Sequence, residues 1–255
     1  MEISIYSLIA SVFVGGVAGY LGSLMITKKM TLVGDALGHV ALPGMGLALY
    51  FGFNVSLGAL LFLLLGILMI WYLETKTNLP TETLVGIIFV LSLSIGFLIT
   101  PDLELLEALV GDIAKISVLD FWITVFTSLI VLYGVRKIYP KLMLSFVSPD
   151  IASANGISVK KYNLLYLLSI AVIVALGVKV VGSLLVGALV IVPAAAAKNL
   201  SNNMRQYVFL SVIIGMFSCV VGIIIANQIV LPTGPIVILT SVFFFVFSLI
   251  FSVDK

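Results

Sequence analysis

Asp35 and His39 stand four residues apart inside the run Thr31-Leu-Val-Gly-Asp-Ala-Leu-Gly-His-Val-Ala-Leu-Pro-Gly-Met-Gly46. On a helix that spacing puts both side chains on one face, one turn apart. His39 is the only histidine in the chain. A carboxylate within a bilayer costs about 2.5–3.5 kcal/mol on insertion scales. A divalent cation held by carboxylate and imidazole would offset that cost. The pattern leaves a second arrangement open, in which Asp35 hydrogen-bonds a neighbouring helix and His39 is a satisfied interior residue.

The elements that position this couple are expected to be membrane helices. The chain of 255 residues is 62% hydrophobic and 9% charged, where soluble domains carry roughly 25% charge. Apolar runs fall at about 4–26, 31–52, 54–73, 82–100, 119–139, 163–180, 182–198, 205–227 and 234–252. An isolated span must satisfy its own backbone hydrogen bonds, which makes each run a helix. No run shows the alternation of a membrane barrel. The expected class is an all-α, polytopic membrane protein of eight or nine spans, forming a single transmembrane domain over 1–255. The weak points are the short run 182–198 and the stretch 101–118, which can re-enter the membrane.

Basic residues set the sidedness. With the N-terminus outside and nine spans, the inner loops hold Lys28, Lys29, Lys76, Arg136, Lys137, Lys141, Lys160, Lys161, Lys198, Arg205 and Lys255. The outer side keeps Lys115 and Lys179. This is the bias of cytoplasmic loops, and it puts the C-terminus in the cytoplasm of a plasma-membrane protein. The outer connection from Pro101 carries Asp102, Glu104, Glu107, Asp112 and, just beyond it, Asp120, a charge that attracts cations or a basic partner.

The longest inner stretch, about 145–162, contains Ser-Pro-Asp-Ile-Ala-Ser-Ala-Asn-Gly-Ile at 148–157. Ser148 or Asp150 is expected to cap a short helix that Gly156 ends. Such a helix on the cytoplasmic face suits docking of another protein. Gly15 with Gly19, and Gly34 with Gly38, are small-xxx-small pairs that let helices approach closely. Pro43 cannot donate to the carbonyl of His39, and Pro193 cannot donate to that of Leu189. Each is expected to bend its helix or to line a route through the membrane.

Several kinds of chemistry are missing. The chain has no phosphate-binding loop of the Gly-x-x-x-x-Gly-Lys-Ser/Thr type, no Gly-x-Ser-x-Gly and no His-Glu-x-x-His. No basic, aromatic-rich patch suggests nucleic acid. The single cysteine, Cys219, excludes an internal disulfide. The chain reads as a membrane channel powered elsewhere, not as an enzyme.

These residues resemble the permease subunits of ATP-binding-cassette importers for zinc, manganese or iron, from about residue 10 to 250. Gly34-Asp35-Ala36 with His39 and Pro43-Gly44 matches the family's second span. Glu82-Thr-Leu-Val-Gly86-Ile-Ile-Phe89, then Leu109-Val-Gly-Asp-Ile113 with Ile116-Ser117, match the middle segments. Asp150, Ala152 and Gly156-Ile157 resemble the coupling segment, and Val181-Gly-Ser-Leu-Leu185 through Pro193-Ala-Ala-Ala-Ala197 matches the late stretch. Many relatives carry an acid where this chain has Ile151, which leaves docking to Asp150 or to shape.

The resemblance implies the cobalamin-importer-like permease fold. It implies a second permease copy, cytoplasmic ATPase subunits on the coupling segment, and an extracytoplasmic protein that delivers the cation. It carries the cation path onto Asp35 and His39, with the metal as cargo and no permanently bound cofactor. Two facing copies would then offer two carboxylates and two imidazoles, a donor set that suits Zn²⁺, Mn²⁺ or Fe²⁺. Three other readings stay open: a permease for an iron chelate or cobalamin, a secondary transporter driven by an ion gradient, and an intramembrane enzyme using His39.

Overall fold

The computed structural model describes residues 4–77, 79–99, 117–183, 185–229 and 231–251, and among these every regular element is a helix. In chain order they are α1 (Ile5–Lys28), α2 (Thr31–Val40), α3 (Leu42–Phe51), α4 (Val55–Lys76) and α5 (Thr81–Ile99). They continue with α6 (Val118–Val147), α7 (Pro149–Ala154), α8 (Val159–Val181), α9 (Val186–Leu200), α10 (Met204–Ile229) and α11 (Thr233–Ile250). The acids expected at 102, 104, 107 and 112, and the segment 109–113, lie outside the described residues.

Among the described residues, eight stretches are long and apolar enough to cross a membrane, with α2 and α3 forming one of them, Thr31–Phe51. The helix α9 is shorter. Its 15 residues reach about 22 Å, against a hydrocarbon core of about 30 Å. The choice between eight and nine spans thus becomes eight full-length helices and one short return.

Polar contacts sort the helix ends into two groups. At one end the ammonium of Lys28 in α1 donates to Asn163 in α8. Asn163 Nδ2 donates to both carboxylate oxygens of Glu74 in α4, at 3.2 Å. Thr81, which opens α5, donates to Glu74 at 2.7 Å. Asn199 in α9 donates to Ser248 in α11 at 3.0 Å. At the opposite end Lys179, late in α8, pairs with Asp120, early in α6, at 2.7 Å. The chain therefore starts and finishes at opposite ends of the bundle.

The helix α1 is the axis. It packs against α6, α8, α9 and α10. The expected small-residue contact exists: a methyl placed on Gly15 would lie 2.6 Å from the carbonyl oxygen of Gly215 in α10. The second small pair, Gly34 and Gly38, faces α9 instead.

Several boundaries differ from the hydropathy reading. The expected run 119–139 becomes α6, which continues through Pro140 to Val147. Packing outweighs the lost backbone bond there. Leu142 is fully buried, and Phe146 lies under the Lys28 ammonium and edge-on to Tyr166. At the start of α6, Ser117 and Asp120 exchange backbone bonds as a capping box, at 3.1 and 3.2 Å. The helix α9 is unbroken at Pro193, which is buried. Irregular backbone instead precedes it, at residues 182, 183 and 185, where Gly182 has φ 89°. Gly182 and Ser183 are buried within the protein, the setting in which irregular backbone at membrane depth is tolerated.

Candidate functional site

The first half of the second span carries the couple. Asp35 and His39 lie on α2, about 6 Å apart along the axis. Asp35 is exposed on the protomer surface and His39 is half-buried. Asp35 makes no hydrogen bond or ion pair among the described residues. The hydrogen bond from Asp35 to a neighbouring helix that the sequence left open is not found among the described residues. The satisfied-histidine alternative fares no better: His39 Nδ1 is buried with no hydrogen-bond partner among the described residues. Buried polar atoms are nearly always partnered, so this imidazole nitrogen is an exception among the described residues, and it stands one turn from an exposed carboxylate.

Two neighbours flank the couple. On one side α5 brings Phe89, whose ring meets the His39 ring edge-on, 5.2 Å between centroids at 63°. On the other side α9 comes within backbone contact of α2. A methyl on Gly187 would lie 2.5 Å from Asp35 Cα and 2.7 Å from Asp35 N. Only glycine permits that approach. Gly34 faces Ile191 of α9, and Gly38 faces the carbonyl of Ser183 and the side chain of Val186. Asp35 is thus exposed beside the close contact of α2 with α9.

The regular helix stops at Val40, bends at Ala41 and resumes at Leu42. Pro43, which supplies no N–H to the His39 carbonyl, stands next to Gly96 of α5, its Cδ 3.6 Å from where a methyl would be. The interruption of the regular helix at Ala41 falls two residues before Pro43. Pro193 is set in the interior of α9, away from that bend. Near it, Ala194 packs against Gly22 of α1.

The residues expected to couple lie on α7 and in the turn that follows it. Ala152 is completely buried and anchors the helix, while Asp150 and Gly156 are exposed. The C-terminus closes as expected. Gly156 has φ 72°, Gly156 N–H donates to Ser153 O at 3.0 Å, and Ile157 N–H donates to Ala152 O at 2.9 Å. The expected N-terminal side-chain cap is absent: Ser148 sits at the cap position but makes no cap bond. Pro149 opens the helix and has no N–H to satisfy. Val147 and Ile151, 75% and 54% exposed, stand beside Asp150.

The sequence pointed to Asp35, His39, Gly34, Pro43 and Pro193; the first four lie on one span, and Pro193 lies on the neighbouring α9. It missed Phe89 and Gly187. Phe89 stood inside a quoted motif with no chemistry to flag it. Gly187 stood five residues after Gly182 at the start of an apolar run, a pattern that signals close backbone approach only once the partner helix is known. Among the described residues no three His, Cys, Asp or Glu side chains lie close enough to hold a metal.

Other proteins are similar to this chain in sequence and fold. The chain is 30% identical over 246 residues to the manganese import system permease protein ScaB of Streptococcus parasanguinis, covering 95% of this chain and 88% of that one. It is 32% identical over 254 residues to the high-affinity zinc uptake system membrane protein ZnuB of Haemophilus influenzae, covering 97% of each. Its fold superposes on a chain of PsaBC from Streptococcus pneumoniae, solved in complex with Fab, with TM-score 0.84 and 28% identity over 97% of this chain and 91% of that one. A metal-chelate type ABC transporter in an inward-facing conformation shares the fold at TM-score 0.76 and 17% identity, over 96% of this chain and 84% of the other. The ABC 3 transport family matches residues 1–252, and the chain belongs to that family.

Proposed function

We propose that this chain is the membrane permease subunit of an ATP-binding-cassette importer that admits a divalent cation of the manganese and zinc class. The observation that carries the reading is the exposed, unpaired Asp35 one turn from an unsatisfied His39, on the outward seam of a membrane span. The names of the relatives add manganese and zinc as the cargo.

One protomer offers only two donors here. A structural zinc site takes four. A second copy facing the first supplies the other carboxylate and imidazole, and it removes Asp35 from lipid. The mixed oxygen and nitrogen set accepts several first-row cations. Because the ligands come from two bodies, separation of the copies loosens the ion, as transport requires. An ATPase subunit on the cytoplasmic side docks on α7, where Ala152 fixes the helix to the permease and Asp150, Val147 and Ile151 face outward. An extracytoplasmic binding protein delivers the cation. The basic end of the bundle faces the cytoplasm of the cell membrane, which puts the N-terminus outside.

The test is uptake of radiolabelled Mn²⁺ or Zn²⁺ by liposomes carrying the whole complex. Asp35→Ala and His39→Ala are each expected to abolish uptake while the complex still assembles. Normal uptake by both variants removes the assigned path.

A further inference from the structure

We infer that Lys28, Asn163, Glu74 and Thr81 form the link that carries movement of α7 to the two helices flanking the cation couple. The inference rests on the permease reading above, and it concerns how the ATPase reaches the site, not what the site binds.

The network joins four helices at one end of the bundle. The Asn163 carboxamide is its centre and is 3% exposed. Its oxygen accepts from the Lys28 ammonium, and its nitrogen donates to both oxygens of Glu74 at 3.2 Å. Glu74 also accepts from the Thr81 hydroxyl at 2.7 Å. A partly buried cation and a partly buried anion are thus joined through one buried amide at the end of the bundle. Such a network is strong when complete and costly when partly broken, so it behaves as made or unmade.

On its input side the network brackets α7. Phe146 precedes Pro149 by three residues, and its ring lies 5.0 Å from the Lys28 ammonium. Asn163 stands in the first turns of α8, immediately after the α7 segment. Any tilt of α7 pulls on one or both. On its output side the network reaches α2 and α5. From Lys28 only Lys29 and Met30 intervene before α2. That turn is stiff: Lys29 N–H donates to Ile26 O at 3.1 Å, Met30 N–H donates to Met25 O at 3.0 Å, and Met30 is buried. From Glu74 the bond to Thr81 holds the first residue of α5, the helix that sets Phe89 against His39. One arm therefore ends at the helix of Asp35 and His39, and the other at the helix that orients the imidazole. The four side chains touch no cation. They are positioning residues that act through α2 and α5, a contiguous physical network between two sites.

The experiment measures ATP hydrolysis and Mn²⁺ uptake together in liposomes carrying the complete complex. Asn163→Ala is expected to raise the ATP hydrolysed per ion transported by roughly 2- to 30-fold, with the KM for the cation held. If Asn163→Ala fails to assemble, the double variant Lys28→Met/Glu74→Gln reads the same ratio, since it removes both charges and orphans neither. A parallel fall of hydrolysis and uptake at an unchanged ratio overturns the link, as does unchanged uptake at an unchanged ratio. Asp35→Ala in the same assay separates this inference from the one beneath it. Retained uptake there removes the cation path, whereas a normal ratio in the network variants removes only the link.

Discussion

Replacing Gly187 with alanine tests whether the seam between α2 and α9 sets the position of the carboxylate. The added methyl would lie 2.5 Å from Asp35 Cα, 2.7 Å from Asp35 N and 3.0 Å from Gly34 C. All three are backbone atoms, so no side chain can swing away. Ordinary contact begins near 3.4 Å, which requires the two backbones to part by about 0.9 Å. Overpacking of this kind costs about 1–3 kcal/mol. The functional effect is larger than that stability loss. Metal–ligand distances tolerate only about 0.2 Å, so a shift of this size withdraws Asp35 from a shared ion. Loss of support around a metal ligand costs about 10- to 100-fold in affinity or activity, and the KM for Mn²⁺ uptake should rise by that factor.

Gly15→Ala is the matched control. Its methyl would lie 2.6 Å from Gly215 O and from Cys219 Sγ, at the α1–α10 contact. It should lower the thermal midpoint as much as Gly187→Ala does while leaving KM unchanged. The assay is thermal unfolding of the purified complex beside uptake kinetics normalised to assembled complex. Equal stability losses with KM unmoved in Gly187→Ala, or with KM raised equally in both, refute the reasoning.

Three further outcomes follow from named contacts. Phe89→Leu removes the ring that meets His39 edge-on. Such a pair is worth about 0.5–1.5 kcal/mol beyond its buried area, so the uptake KM should rise by roughly 2- to 10-fold, and an unchanged KM would show that the ring does not orient the imidazole. Ile151→Asp removes an exposed apolar side chain of the class worth about 1.5–3 kcal/mol when buried against a partner. Co-purification of the ATPase subunit should fall by about tenfold or more while the permease still inserts. Gly156→Val forces a branched residue into φ 72°, at a cost of about 1–2 kcal/mol, and should speed amide hydrogen exchange across 149–157; unchanged protection would mean that the turn is not under that constraint.

The particular residues show what kind of information the sequence holds. Composition was enough for the helices, because a backbone in hydrocarbon has almost no alternative to intrahelical bonding. The spacing of Asp35 and His39 was enough for a shared face, because helical periodicity is local. Gly156 was enough for the end of α7, because a positive φ is a property of the residue itself. Where the reading fell short, a distant partner decided. Hydropathy ended the sixth helix near Pro140, yet Leu142 and Phe146 carry it on by packing against helices far away in the chain. Ser148 is of a type that caps helices, yet Pro149 leaves less there to cap.

The sequence by itself determined that this chain lives in a membrane, that its charges are few and segregated, and that one carboxylate and one imidazole share a turn of its second span. Only the tertiary structure decided that Asp35 is exposed, that Phe89 lies against His39 and Gly187 against Asp35, and that Asn163 ties four helices together beside α7. The physical reason is range. Periodicity, capping and transfer from water act over a few residues and leave a mark in the order of side chains. Contacts such as Gly187 on Asp35 or Asn163 on Glu74 join residues about ninety or more apart in the chain, and nothing local in either residue records its partner.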